Sequence, residues 1–414
     1  MLVLQRTSAQ PGLTKRPTPM GPRLSILVLG ALPALGLLIF GWQVAPVVAL
    51  LAFGAAVVCA AFGLAWAGEA AESKISGGLA IAGIALVAVL PEMAVDVFYS
   101  FSAATHPEMA EYIGANMTGS NRLMLGVGWP LLVLLGLAAQ RGLRTGPAGR
   151  AHRRVLRIDG SLRLELGFLL VAGVAGFLIP LTGQLHVVLG VALLGWFAYF
   201  LVRVSKKEVE EAPLLGVAAT IAALPSRSYR LTIGLMLGLA AGLIVLCAEP
   251  FATALVDTGT DLGIDEFLVV QWLAPLASEA PEFIIAALLA RHGRASAGLR
   301  LLITAQVAQW TVLLGALPIA HLIGGGGWAI TFGDRQLLEF VLTSAIVVLG
   351  VALVSGMRIR LALAGAIFGL YVVQLAVVAS EPRTMLTWLV LGAGVAVVAL
   401  RRAQVLRLLR FGRE

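Results

Sequence analysis

Cysteine and charge are scarce in this chain of 414 residues. Its two cysteines, Cys59 and Cys247, lie in apolar stretches without the spacing or the neighbouring histidines of a metal–thiolate site. No disulfide framework is therefore expected. Only 13% of the residues are charged while 59% are hydrophobic, and the mean hydropathy is +0.94. No soluble class combines these values, so the composition predicts an all-α polytopic membrane protein.

Catalytic signatures are also lacking. The chain contains no Gly-x-Gly-Asp motif, no His-Glu-x-x-His motif and no exposed serine nucleophile motif. We therefore expect no enzyme.

The formal charge of +8 could indicate binding to nucleic acid, but the arginines lie between the apolar stretches. That placement is typical of membrane topology, so no nucleic-acid partner is expected.

What is abundant is apolar sequence. Twelve stretches are long enough to cross a bilayer. They are predicted at residues 24–43, 46–67, 76–102, 112–139, 165–182 and 184–203, and then at 231–256, 265–290, 299–323, 336–354, 359–379 and 384–400. Residues 1–23 form a polar tail, and the linker 204–230 is too short for a regulatory domain.

The distribution of basic residues predicts the orientation of these spans. With the N-terminus in the cytoplasm, every basic cluster falls on the cytoplasmic side, as the positive-inside rule requires. The clusters lie in the loop 140–164, the linker 204–230, the turn 291–300 and the tail after residue 400. Only the single arginines Arg335 and Arg383 fall outside. This pattern predicts a multi-pass protein of the cell (plasma) membrane with cytoplasmic N- and C-termini.

Two proline–glutamate steps lie deep in apolar sequence, at Pro91-Glu92 and, 190 residues later, at Pro281-Glu282. A carboxylate in hydrocarbon costs ~2.5–3.5 kcal/mol and therefore normally serves a purpose. The adjacent proline opens the helical hydrogen-bond ladder at the same depth. Carboxylates beside broken helix turns, repeated in two halves, are typical of ion sites in secondary transporters.

The predicted orientation makes the two spans that carry these steps antiparallel. Residues 46–203 and 231–379 would then form two inverted five-helix repeats. One further helix flanks them at each end, at 24–43 and within 384–414, where it is followed by a basic cytoplasmic tail.

Each glutamate has a second acid on its own helix face. Asp96 follows Glu92 by four residues, and Glu279 precedes Glu282 by three. Four such acids could replace the hydration shell of Na⁺ or Ca²⁺, which both favour oxygen ligands, and they could equally accept protons. The alternative is a stray charge near a helix end, which is more plausible for Asp96 and Glu279 because neither is matched in the other half.

A second polar element follows each acid on the next span. The first covers residues 114–124 and includes Asn121, and the second covers residues 304–309 and includes Gln306. Small residues and amides within a span allow helices to approach closely and supply neutral ligands.

Together these motifs resemble the alpha repeats of the cation/calcium exchanger superfamily, which includes the sodium/calcium exchangers. Leu90-Pro91-Glu92 followed by Gly119-Ser120-Asn121 resembles the first repeat. Ala280-Pro281-Glu282 followed by residues 304–309 resembles a degenerate second repeat. The resemblance implies ten core helices in two inverted halves, with ion sites where the repeats meet.

The resemblance also implies roles for individual residues. Glu92 and Glu282 would be the central ligands of the metal cation, and Ser120 and Ser278 would supply hydroxyl ligands. Gln309 and Met124 would occupy the amide or carboxylate ligand positions of the second helix in each repeat. The chain departs from the family pattern at Ala88-Val89, where the family has Thr-Ser, and at Met124, because a thioether is a poor ligand for a hard cation.

Arg122 directly follows the Gly-Ser-Asn motif. Its guanidinium could act as an internal counter-ion that pairs with Glu92, Asp96 or Glu279 and stands in for a bound cation. Alternatively, Arg122 lies near the helix end and extends to the outer interface.

These residues predict a secondary active antiporter that exchanges Ca²⁺ or Na⁺ for Na⁺ or H⁺ by alternating access. The expected partners are the transported cations and the lipid bilayer, and no cofactor is expected. The alternative function is a transport-inactive, transporter-like scaffold or sensor, because Met124 and Gln309 weaken the set of ligands.

Overall fold

The computed structural model describes residues 20–72, 89–143, 155–206, 214 and 216–410. The first half is almost entirely helical. Its helices are α1 (Met20–Phe40), α2 (Pro46–Glu72), α3 (Leu90–Ser102), α4 (Met109–Leu123), α5 (Trp129–Leu143), α6 (Arg163–Ala175), α7 (Leu178–Thr182) and α8 (Val187–Val204). Two three-residue strands accompany them, β1 (Val155–Arg157) before α6 and β2 (Gln184–His186) before α8.

The second half has the same character. Its helices are α9 (Gly216–Ala222), α10 (Ser226–Leu262), α11 (Glu266–Ser278), α12 (Ala280–Arg291), α13 (Ala295–Ala308), α14 (Leu314–Ile323), α15 (Asp334–Val354), α16 (Leu361–Ala376), α17 (Ser380–Leu400) and α18 (Arg402–Leu408). Strands β3 (Ala329–Thr331) and β4 (Arg358–Arg360) precede α15 and α16.

Nine helical stretches of the described residues are long and apolar enough to cross a membrane. Helices α11 and α12, bent by 53° against each other, make a tenth if they form one span, and α16 is a shorter apolar helix. The predicted span 76–102 is described only from residue 89 onward. A nearly all-helical, multi-pass architecture is thus confirmed, while the number of twelve spans stays a prediction.

Both proline–glutamate steps begin a helix. Pro91 lies in the first turn of α3 and Pro281 in the first turn of α12, where the missing N–H of proline costs no helical hydrogen bond. Glu92 and Glu282 therefore lie in first turns as well. The positive end of the helix dipole at that position favours a carboxylate. The sequence thus places each acid at a helix start inside the apolar region.

Two long helices are interrupted by a single π-helical turn. Met124–Gly128 separates α4 from α5, and Gln309–Leu313 separates α13 from α14. Turns of this kind are rare, and they occur frequently at functional sites because they shift the side chains that follow. Met124 and Gln309, the two residues that the family resemblance places at ligand positions, each open one of these turns.

The four short strands are not part of the predicted all-α architecture. They form two antiparallel pairs, β1 with β4 and β2 with β3. In the first pair Leu156 lies opposite Ile359, and in the second Leu185 lies opposite Ile330. Each pair therefore joins a segment of the first half to a segment of the second.

Candidate ion-binding site

Four acidic side chains face one another in the interior of the bundle. Glu92, Asp96, Glu279 and Glu282 are each at most 8% exposed. The carboxyl group of Glu92 interacts electrostatically with those of the other three. The structure thus brings the two acids of α3 together with the pair at the junction of α11 and α12.

Gln309 connects acids from the two halves. Its Nε2 donates a hydrogen bond to Oε2 of Glu92 at 2.8 Å and a second one to Oε1 of Glu279. The π-helical turn that begins at Gln309 sets the direction of this side chain. Because one amide nitrogen binds two carboxyl groups, Gln309 acts as the link between α3 and the α11–α12 junction.

Several oxygen atoms around this link have no hydrogen-bond partner among the described residues. They are Oε1 of Glu92, Oδ2 of Asp96, Oδ1 of Asn116, Oγ of Ser120, Oε2 of Glu282 and Oε1 of Gln309. Buried polar atoms are normally paired, so a concentration of unpaired acceptors needs an explanation. Oxygen atoms from carboxylates, amides and hydroxyl groups are the ligands that Ca²⁺ and Na⁺ use. The chemistry of this set therefore fits a hard cation.

The charge of the cluster is not balanced by basic side chains. In the part of the chain that the structure describes, no arginine, lysine or histidine forms a salt bridge with any of the four acids. The described residues also contain no group of three or more Asp, Glu, His or Cys side chains that lie close enough together to hold a metal ion. Protons or an incoming cation must therefore supply the missing positive charge.

Sequence reasoning did not single out Asn116. Its Nδ2 donates to Oδ1 of Asp96 at 2.8 Å, and both residues are fully buried. A signal was present, because Asn116 precedes Ser120 by four residues and so shares its face of α4. Ser120 itself lies beside the carboxyl group of Glu92.

Three predicted ligands do not contact the acids. Nε2 of Gln306 donates to the backbone oxygen of Asn121 at 3.2 Å, while Oε1 of Gln306 accepts from the indole of Trp129 at 3.0 Å. The side chain of Asn121 donates back to the carbonyl of Met117 at 3.0 Å. Ser278 likewise bonds the carbonyl of Ala274 in its own helix at 3.2 Å. The hydrogen bond from Gln306 to the backbone of Asn121 joins α13 to α4. The side chain of Asn121 points about 100° away from that of Ser120 around α4.

The side chain of Arg122 adopts neither of its two predicted positions. It is only 3% exposed, and it contacts none of the predicted partners Glu92, Asp96 and Glu279. Its Nη2 lies 2.5 Å from Oε2 of Glu339, its Nε donates to the carbonyl of Thr118 and its Nη1 donates to Gln374. Arg122 is two residues from Ser120 and therefore leaves the opposite face of α4. It is a counter-ion, but of a different acid.

The acid that Arg122 pairs with was missed by sequence reasoning. Glu339 lies five residues after the start of α15, and Arg383 binds it through Nε and Nη2, each at 2.7 Å. Arg383 is buried, and the prediction that it lies on the outer side of the membrane stays a prediction. The available signal was an acid inside the apolar window 336–354. We call Arg122, Glu339 and Arg383 the arginine–glutamate triad.

Comparisons with known proteins show the family and the fold of the chain. The family profile described as "Sodium/calcium exchanger protein" matches residues 45–206 and 232–379. No curated protein matches the chain by sequence. The crystal structure of the H⁺/Ca²⁺ exchanger CAX is similar, with 31% identity, a TM-score of 0.87 and coverage of 94% of this chain and 97% of that one.

Two further solved structures share the fold. Native YfkE has a TM-score of 0.62 at 14% identity and covers 86% of this chain and 98% of its own. The sodium–calcium exchanger NCX_Mj has a TM-score of 0.50 at 15% identity and covers 85% of this chain and 100% of its own. With the profile matched over most of the sequence, the chain belongs to the sodium/calcium exchanger family, whose members are membrane exchangers and not enzymes.

Proposed function

We propose that this protein is a secondary active antiporter that exchanges Ca²⁺ for H⁺. The observation that carries the proposal is the set of unpaired buried oxygen atoms around Glu92, Glu282 and Gln309. Similarity to a structure of an H⁺/Ca²⁺ exchanger at 31% identity supports this pair of ions over Na⁺ and Ca²⁺. The departures from the family pattern at Met124 and Gln309 also favour protons, because fewer charged ligands remain for additional cations.

Glu92 and Glu282 are the metal ligands in this proposal. One comes from each half, and each lies at the positive end of a helix within the apolar region. Oε1 of Gln309 and Oγ of Ser120 would supply neutral oxygen ligands, since neither has another partner among the described residues. Asp96 and Glu279 flank the central pair and add negative charge.

Proton coupling is supported by the contact between Glu92 and Glu279. Both carboxyl groups accept a hydrogen bond from the same atom, Nε2 of Gln309, which brings them close together. Two ionised carboxylates repel, so such a contact requires a shared proton or a cation between them. A Ca²⁺ ion that enters would displace that proton and take the place of the Gln309 N–H groups, so one site serves both ions in turn.

An inverted-repeat architecture would allow this site to open to either side of the membrane. Exchanging the two halves converts α3 into α12, the π-helical turn at Met124 into that at Gln309, and the pair β1–β4 into the pair β3–β2. These correspondences support two inverted repeats, 46–203 and 231–379. We also propose the twelve spans, the cytoplasmic termini and the location in the cell membrane that the sequence predicts.

Flux measurements with purified protein in liposomes test the proposal. A pH gradient should drive Ca²⁺ uptake, and a protonophore should abolish it. The single variants Glu92→Gln and Glu282→Gln should each raise the Ca²⁺ concentration for half-maximal uptake by about tenfold or more, which corresponds to at least about 1.4 kcal/mol of lost binding. Glu381→Gln is a matched control, because Glu381 is exposed at the start of α17.

Two results would count against the proposal. Uptake that survives dissipation of the pH gradient would exclude proton coupling. Absence of any Ca²⁺, Na⁺ or H⁺ flux in the wild-type protein would instead favour the transport-inactive scaffold, which has no flux to lose.

A further inference from the structure

The arginine–glutamate triad carries an uncompensated positive charge inside the bundle. Glu339 forms ion pairs with both Arg122, at 2.5 Å, and Arg383, at 2.7 Å. All three side chains are buried. In the part of the chain that the structure describes, neither arginine forms an ion pair with an acid other than Glu339. Two positive charges therefore share one negative charge.

Part of the excess charge is offset at Arg383. Its Nη1 donates to the carbonyl oxygens of Gln374 and Val377 at the C-terminal end of α16, where a helix carries about half a negative charge. Arg122 donates to the carbonyl of Thr118 within α4 and to the side chain of Gln374, and none of its hydrogen bonds goes to the terminal carbonyl groups of α16. Its Nη2 is buried and, despite the short contact with Glu339, has no well-directed hydrogen bond in the described chain.

Two cavities border Arg122 on this side. The smaller one has a volume of about 10 Å³, and its lining includes Arg122, Arg383, Gln271, Trp272 and Tyr371. The larger one, about 110 Å³, has mostly apolar walls with Arg122, Tyr371 and Gln374 among them. No carboxylate lines either cavity. The smaller cavity thus combines two guanidinium groups with an indole and a phenol group that can donate hydrogen bonds, whereas Nε2 of Gln271 already donates to Thr118 and Glu339.

We propose that the smaller cavity binds one monovalent anion of halide size, such as chloride. A buried charge needs a partner, and an anion here neutralises the triad next to Arg122. The volume is of the order that a single water-sized particle requires. A phosphate or a lipid headgroup is too large for it. The site lies on the face of α4 opposite Ser120, so it is separate from the proposed cation site and independent of the transported ion.

The bound anion would hold three helices together. The triad joins α4, which carries Ser120 and Asn116, to α15 and to the flanking helix α17. Neutralising its charge removes repulsion between Arg122 and Arg383, so anion binding should stabilise the folded protein. The mass-action relation then makes the unfolding temperature depend on the anion concentration.

Thermal unfolding of the full-length protein in detergent tests this, with chloride replaced by gluconate at constant ionic strength. One site with a dissociation constant of about 10 mM predicts an unfolding temperature about 2–3 °C higher in about 150 mM chloride. Arg122→Gln should abolish this difference. Glu339→Gln should enlarge it, because the triad then carries two uncompensated charges. A purely structural ion pair predicts no anion dependence in either variant.

Trp272→Phe provides a milder variant that keeps an aromatic ring, and it should reduce the chloride effect. Trp388→Phe is the matched control, because Trp388 lies exposed on α17, and it should keep the full effect. In crystals of the wild-type protein grown with bromide, an anomalous peak should lie in the smaller cavity, beside the guanidinium groups of Arg122 and Arg383. Equal unfolding temperatures of the wild-type protein in chloride and gluconate, or the lack of that peak, would overturn the proposal.

Discussion

Nε2 of Gln309 lies 2.8 Å from Oε2 of Glu92, although 217 residues separate the two positions. The same nitrogen donates to Glu279. A single neutral amide thus holds two acids from different halves of the chain. Replacement of Gln309 is therefore the most direct test of whether this link takes part in cation binding.

We expect Gln309→Ala to weaken Ca²⁺ binding. The variant removes Oε1 of Gln309 as a ligand of the cation, and the loss of an interaction with a charged group typically costs about 1–3 kcal/mol. The Ca²⁺ concentration for half-maximal uptake in proteoliposomes should rise by roughly five- to 150-fold. Gln43→Ala, in the exposed connection between α1 and α2, should leave it unchanged. An unaltered Ca²⁺ dependence in Gln309→Ala would remove Gln309 from the site.

Gly119→Ala should destabilise the fold. A Cβ atom at Gly119 would lie 2.0 Å from the carbonyl oxygen of Gln271, so α4 and α11 would have to move apart. Overpacking of this kind costs about 1–3 kcal/mol. The control is Gly238→Ala on the exposed face of α10, where nothing lies within 4 Å of the new methyl group. There alanine should stabilise the helix by up to about 1 kcal/mol. Thermal unfolding in detergent measures both, and equal shifts would contradict the close approach of the two backbones.

Arg383→Met should destabilise the protein by about 3 kcal/mol, because Glu339 loses two charged hydrogen bonds and the carbonyl groups at the end of α16 lose their donor, although Arg122 still balances the charge of Glu339. Arg335→Met is the matched control. Arg335 forms its ion pair with Asp265 at a site where both side chains are 40% or more exposed, so its loss should cost less than about 1 kcal/mol. Similar losses in the two variants would contradict the buried position of Arg383.

The Asp265–Arg335 pair should give a pH-dependent contribution to stability. Partial burial alone would raise the pKa of Asp265, but its two hydrogen bonds from Arg335, at 2.8 and 2.9 Å, outweigh burial and hold the pKa below its ordinary value. A depressed carboxyl pKa adds stability above the ordinary value near 3.9 and loses it as the pH falls through the lower folded value.

The comparison variant for this effect is Asp265→Asn, because asparagine can still cap α11 through the N–H of Leu268. The unfolding temperature of the wild-type protein should exceed that of the variant at neutral pH, and the difference should shrink as the pH falls through the lowered pKa of Asp265 in the folded protein. High salt should reduce it, since the pair is exposed. A difference that grows on acidification would show that the sign is wrong.

The outline of the fold and the centre of the site could be predicted because their signals are local. Runs of apolar residues mark the helices, and the proline–glutamate steps mark where α3 and α12 begin. Glu92, Glu279 and Gln309 were among the predicted ligands, and the structure joins them by hydrogen bonds. The contacts of Asn116 could also have been inferred from its spacing to Ser120.

Other features depend on contacts between distant positions. Arg122 finds its partner 217 residues away in Glu339, and Arg383 approaches the same acid from a flanking helix. Nothing near Arg122 in sequence distinguishes that acid from Glu92 or Asp96. The π-helical turns and the four strands are similarly invisible, because three-residue strands carry no periodicity and a π-turn is one inserted residue.

The paired strands restrict how the protein can move. Helices α6 and α7 lead from β1 at one end of the bundle to β2 at the other, and each strand is hydrogen-bonded to the opposite half. Backbone hydrogen bonds therefore connect the two halves at both ends of the bundle. The halves cannot separate as rigid bodies without breaking these bonds. Helices α2 and α10 lie outside both strand pairs, pack along each other and contact the proline–glutamate helices. Access to Glu92 and Glu282 is thus expected to change by sliding of this helix pair over a frame that stays fixed.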